Sequence, residues 1–217
     1  MDFSGLIRAI DWYWLASTAM RVLAVLLCLT VHEACHGLAA CALGDPTARD
    51  SHRLSLNPLW HIDWLGLGMM LVAGFGWAKP VPVDPRYFKD PKRGMALTAL
   101  AGPVSNLLLA ALAIGISKVI YLSGHYHPAL NAVFLFCLYT LAPLSVGLGL
   151  FNLVPIPPLD GAKVLGALLP DEAYFRIMRY ERYGMLALIL LSFTGVGSAV
   201  ISRGIMAVYG GLFNLFY

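Results

Sequence analysis

From Trp12 to Leu43 the chain runs through 32 residues with only two formal charges, Arg21 and Glu33. A helix of that composition has no polar face to offer water, so it must be buried in protein or lie in lipid. Three further blocks have the same character: Gly94 to Leu122, Ala129 to Val154, and Tyr183 to Ser202. At 1.5 Å per residue each is long enough, or nearly so, to cross a hydrocarbon layer about 30 Å thick. Charged residues are 12% of the 217, against about 25% in soluble domains, too few to wet the surface of a globule. The expected fold class is an all-α polytopic membrane protein. It has about four to six membrane helices in a single domain over residues 1–217.

The segment "MDFSGLIRAIDWYW" has no basic region leading into an apolar core and a small-residue cleavage site. No removable signal peptide is expected, and the first apolar helix itself directs insertion. Trp12, Tyr13 and Trp14 suit an interfacial belt, with Arg21 snorkelling outwards from inside it. After the fourth block, Arg203 precedes "GIMAVYGGLFNLFY", which is too short to span and is expected along the surface or re-entering. The net charge of +3 carries no basic stripe with interleaved aromatics, so nucleic acid is not an expected partner. Cys28, Cys35, Cys41 and Cys137 all fall in apolar segments without a CxxC pair. They read as small buried hydrophobes rather than a disulfide framework.

Charge also sets the topology. The loop Lys79–Arg93 carries five basic residues against two aspartates, and Pro155–Arg182 carries Lys163, Arg176, Arg179 and Arg182. The connection "SGHYHP" between them has neither Lys nor Arg. The positive-inside bias puts both basic loops in the cytosol and Ser123–Pro128 outside, so His125 and His127 read as turn residues there. The apolar stretch Trp64–Trp77 lies between loops that both hold basic residues. As a helix it covers only about 21 Å, so it is expected to re-enter rather than span. Its flanks, "RLSLNP" and "KPVPV", read as short extended pieces. Such backbone is tolerated at membrane depth only where protein or a water-filled cavity satisfies it.

Within the first block lies "HEACH". Residues i and i+4 share a helix face, so His32 and His36 can offer imidazole nitrogens to one metal ion, with Glu33 beside them. This is the HExxH pattern of zinc sites in which a glutamate takes a proton from water. Cys35 points to another face and reads as packing. A glutamate buried in lipid for no purpose costs about 2.5 to 3.5 kcal/mol on insertion scales, which favours function over chance. Catalytic zinc takes three protein ligands and keeps one open position. The candidate for the third is Asp160 in "FNLVPIPPLDG", where Pro155, Pro157 and Pro158 must unwind the preceding helix. That break leaves free carbonyls and an exposed carboxylate, with Gly161 allowing a tight turn. Alone this tract is an ordinary surface turn; beside HExxH it supplies the missing ligand.

HEACH, "AGPVSN" at Ala101–Asn106 and "NLVPIPPLDG" at Asn152–Gly161 together resemble the site-2 proteases, zinc metalloproteases that cut inside membranes. "GDPTAR", "LNPLWHID" and "GFGWAKPVPV" resemble the compact subgroup, since no stretch is large enough for a PDZ or CBS domain. The resemblance covers about Val31 to Leu168. It implies one zinc per chain held by His32, His36 and Asp160, with Glu33 as general base. It also places Asn152 in the active site as a donor to the substrate or the developing oxyanion. The catalytic core is then about 12–168, followed by a C-terminal membrane helix and tail over 183–217.

The expected activity is that of a zinc metalloendopeptidase acting on membrane-spanning or signal-peptide-like segments. Its partners are membrane-protein substrate helices and the lipid bilayer; nothing in the sequence specifies an oligomeric state. The expected location is a prokaryotic cell membrane with the site facing the cytosol. Gly44 ends the first helix eight residues after His36, about 12 Å away along the axis. Gly44–Asp63 and Lys79–Arg93 are expected to wall a polar funnel to the site, and Leu54–Asn57 to offer an edge to an unwound substrate. His52, His61 and Asp63 read as solvated loop residues, with a second metal site as the lesser reading. Asn106 either lines the cavity or ties helices together. The competing function is a transporter or channel using the buried His and Glu, but that class predicts interrupted helices repeated in two halves, and no repeat is visible.

Overall fold

Asp11 opens helix α1 (Trp12–Ala42) by accepting from the Trp14 N–H, the usual way a first-turn donor is satisfied. The helix stops at Gly44, whose φ of 105° suits a residue without Cβ. The computed structural model describes residues 11–73, 77–124, 127–179, 183–184, 188, 190 and 196–217. Over these it shows helices α2 (Trp64–Ala73), α3 (Pro91–Ser123), α4 (Pro128–Asn152), α5 (Asp160–Gly166), α6 (Asp171–Arg179) and α7 (Val196–Phe216). Among the described residues α1, α3, α4 and the Ala199–Phe216 part of α7 are long and apolar enough to cross a membrane. The protein is an all-α polytopic membrane protein.

Helices α3 and α4 start alike, with Asp90 and His127 capping a proline at the first helical position. His127 therefore has a capping role; His125 lies outside the described residues. Between α1, α3 and α4 lies a core of small and branched side chains: Ala24 and Cys28, Ala110, Ala113 and Ile114, Cys137, Leu141 and Val146. Small residues let membrane helices approach closely where lipid offers no hydrophobic drive. The cysteines behave as expected, with Cys28 and Cys137 buried and all four free. A π-helical turn at Phe136–Leu141 interrupts α4. Its Leu138 carbonyl takes a hydrogen bond from Tyr209 Oη of α7 at 2.9 Å, so the disturbed ladder is satisfied from the neighbouring helix.

One expectation is corrected here. The tail after Arg203 is not a separate surface segment: α7 runs unbroken from Val196 through Arg203 to Phe216. No proline interrupts it, and Ile205, Val208, Tyr209, Leu212 and Phe213 pack on the core. The span expected over Tyr183–Ser202 falls largely outside the described residues. The flanks of Trp64–Trp77, expected as short extended pieces, form no ladder among the described residues. Among the described residues the backbone pairs next to them in one antiparallel bridge, Ile62 with Ala78, where the Lys79 N–H donates to the His61 carbonyl at 2.9 Å. With both ends joined there, and α2 covering only about 15 Å, the segment returns to where it began.

Candidate active site

Helix α1 presents His32 and His36 one turn apart, and their Nε2 atoms lie 3.0 Å from each other. Asp160 Oδ2 stands 3.1 Å from the first and 3.2 Å from the second. All three residues are buried, at 4%, 9% and 8% exposure. They form the one group of three or more His, Cys, Asp or Glu among the described residues whose ligand atoms converge closely enough for a metal ion. The carboxylate arrives as the prolines require: α4 ends at Asn152, Leu153–Leu159 is irregular, and α5 begins at Asp160. Asp160 is nonetheless buried rather than exposed, because α5 folds back against α3. Gly161 makes no turn; a Cβ there would collide with the Leu153 carbonyl, so its role is close packing of α5 on the unwound tract.

Helix α3 orients the imidazoles. His36 Nδ1 lies 2.7 Å from the Thr98 carbonyl and can only donate to it, which leaves Nε2 as a lone pair in the neutral ring. His32 Nδ1 lies 3.0 Å from the Asn106 amide, and Asn106 is fully buried. Ser145 of α4 donates to the Asn106 carbonyl at 2.7 Å. Gly102 leaves room for both rings: a Cβ there would stand 2.5 Å from His36 Nε2 and 2.6 Å from His32 Cε1. Asn106 thus lines the site and ties helices together at once. The contact of Thr98 with His36, and the room that Gly102 of AGPVSN leaves for both rings, were not foreseen in the sequence. The signal was present, because 98, 102 and 106 recur every four residues and so share the face that meets HExxH.

The donor set fits a metal. A carboxylate oxygen and the His36 Nε2 lone pair, 3.2 Å apart, are both acceptors and need a shared cation between them. Tetrahedral coordination with bonds of about 2.0 to 2.2 Å spaces its ligands about 3.3 to 3.6 Å apart, close to the separations found. Asn106 Oδ1 is buried without a partner. Turning that amide over lets Oδ1 accept from His32 Nδ1–H and frees the second imidazole nitrogen for metal. Replacing Asn106 by Leu is expected to weaken zinc binding by about 10- to 100-fold, read by competition with a fluorescent chelator. Unchanged affinity would remove Asn106 from the site.

Glu33 and Asn152 share a cavity of about 280 Å³ with the cluster, walled also by Pro80, Val81, Val83 and Met95. Glu33 Oε2 accepts from the Val81 N–H at 2.9 Å. Asn152 donates one amide hydrogen to the Leu148 carbonyl at 3.0 Å and keeps a second. The two loops do not wall the site equally: Gly44–Asp63 contributes no lining residue. It braces the other loop instead. Arg53 Nη2 donates to the Lys79 carbonyl at 2.9 Å, and buried Asp45 accepts from the Asp84 N–H at 2.8 Å. Within Leu54–Asn57 the Ser55 carbonyl accepts from His61 at 2.8 Å and its Oγ from the Asn57 N–H at 3.1 Å, so these two main-chain groups are already engaged. His61 is 2% exposed, a buried brace and not a solvated loop residue. Asp63 caps α2 through the Leu65 and Gly66 amides, and His52 is exposed at a φ of 55°.

A family model described as Peptidase family M50 matches residues 117–193, which include the Asn152–Gly161 tract. Over 206 residues, 94% of each chain, the protein is 35% identical to "Putative zinc metalloprotease YwhC" of Bacillus subtilis (strain 168). The chain belongs to peptidase family M50. It is a membrane metalloprotease of the site-2 protease kind, set in a lipid bilayer and acting on membrane substrates in general. Two further curated relatives match at lower identity. Rip2 of Mycolicibacterium smegmatis, described in the same words as YwhC, is 29% identical over 83% of this chain and 73% of its own. "Zinc metalloprotease MJ0392" of Methanocaldococcus jannaschii is 29% identical over 59% of this chain and 35% of its own. No solved structure matches this M50 chain.

Proposed function

We propose that the chain is a zinc endopeptidase that hydrolyses peptide bonds within or beside transmembrane segments of other proteins, from the cytosolic side of a prokaryotic cell membrane. The observation that carries this reading is the meeting of His32, His36 and Asp160 from two distant stretches of chain, with Glu33 in the same cavity. Their assigned roles are three zinc ligands and one general base. When bound, zinc acidifies the attacking water and polarises the scissile carbonyl.

The chain's own residues supply the rest. The Val81 N–H holds Glu33 in place, so its carboxylate is aimed before substrate arrives. Glu33 takes the proton from the attacking water and returns it to the leaving nitrogen. The second Asn152 hydrogen is available to the developing oxyanion. Pro80, Val81 and Val83 line the same cavity, which supports them as the wall an unwound substrate segment meets, and the basic loops at this end of the bundle favour a cytosolic side. Both regulated intramembrane proteolysis and removal of signal-peptide remnants fit this site. Comparing membrane proteomes of cells holding the native chain or Glu33→Gln tests the reading. Uncut membrane segments should accumulate in the mutant, and identical proteomes would overturn it.

A further inference from the structure

The positive-inside argument counts Lys163 only as a cytosolic charge, yet the structure places it in the wall of the catalytic cavity with Glu33, His32, His36, Asn152 and Asp160. It is half-buried and lies three residues beyond Asp160 on α5, on the same helix face. Among the described residues its ammonium enters no ion pair and no hydrogen bond, although two carboxylates share the cavity. Asp160 is turned to the two imidazoles and Glu33 to the Val81 N–H. Lys92, by contrast, finds both the Leu169 carbonyl and Asp171. The close packing of α5 has other sources. Gly161 meets the Leu153 carbonyl, Gly166 meets the Tyr174 ring, and Ala162 is buried.

A half-buried ammonium without a counter-ion is costly unless an anion arrives to meet it. We propose that Lys163 binds a carboxylate of the substrate lying within about three residues of the scissile bond. The proposal rests on reading the cavity as a peptidase site. Three residues of helix rise about 4.5 Å, and a four-carbon stem extends from there. An extended peptide advances about 3.3 Å per residue, which sets the distance. The carboxylate belongs to an Asp or Glu side chain, or to the free C-terminus left by an earlier cut. Apolar membrane segments hold neither in their centres, so Lys163 draws cleavage to the cytosolic end of a segment or to the new end of a remnant.

The test uses the purified full chain with zinc and an apolar peptide that it cuts, its bond mapped by mass spectrometry. Three forms are compared: a neutral amidated peptide, an amidated one with Asp within three residues of the bond, and one truncated to put a free C-terminal carboxylate there. The wild type should favour a carboxylate form by about tenfold or more in kcat/KM, and the favoured form names the source. Lys163→Gln should erase that preference through KM, Lys163→Arg should keep most of it, and Lys163→Glu should favour a peptide with Lys at that position. No preference in the wild type overturns the proposal. So does a Lys163→Gln defect of equal size on all three peptides, or one confined to kcat. If Lys163→Gln loses zinc or melts early, the Lys163→Arg and wild-type peptide series decide. A zinc-loaded wild type that cuts no membrane-segment peptide would sink the peptidase reading itself, whereas cleavage that survives Glu33→Gln would remove only Glu33 as the base.

Discussion

Glu33→Gln is expected to keep one zinc per chain and to lose cleavage by about 10³-fold or more. The carboxylate is not among the three converging ligands, so the metal should stay. Gln has the same shape, and its Oε1 can still accept from the Val81 N–H that holds Glu33 at 2.9 Å. What it cannot do is take a proton and give it back. Removing a half-buried charge also lowers a desolvation cost, so the mutant should melt no earlier than the wild type. Metal content by atomic absorption, a melting curve and cleavage of a membrane-segment peptide measure the three effects separately. Activity within threefold of wild type would mean that another group is the base.

The second large effect is expected from Asp160→Ala. Two imidazoles remain on α1 at a separation of 3.0 Å, but the third ligand and its negative charge are gone. Zinc stoichiometry should fall well below one per chain after dialysis, with activity undetectable until excess metal is added. The native chain should lose activity to a strong chelator and regain it with about one equivalent of zinc, since structural or catalytic zinc binds through a small fixed ligand set. Because imidazole and carboxylate must be deprotonated to bind, apparent zinc affinity should fall as pH is lowered. A mutant that keeps full zinc and full activity would place the third ligand elsewhere.

The sequence made the metal cluster legible because each part of the signal is local. HExxH needs only the 3.6-residue period of one helix to bring His32 and His36 together. The Pro155, Pro157 and Pro158 run needs only the missing N–H groups to end α4 before Asp160. What it concealed depends on how helices are rotated against one another. Gly161 looked like a turn residue until the Leu153 carbonyl was found against it. Asn106 was ambiguous because side-chain amide and main-chain carbonyl make separate bonds, to His32 and from Ser145. The C-terminal tail misled for another reason: a charge inside an apolar run reads as a boundary, yet α7 carries Arg203 without a break.

Hydropathy and residue spacing by themselves determined that this chain is a helical membrane protein with a two-histidine, one-glutamate centre, since burial energy and helical period act along the chain. Only the tertiary structure decided which atoms meet. The buried aspartate on two imidazoles, the loop amide on Glu33 and the unpaired lysine in the same cavity are contacts between segments up to 128 residues apart. Their geometry is set by packing across helices, which no one-dimensional pattern encodes.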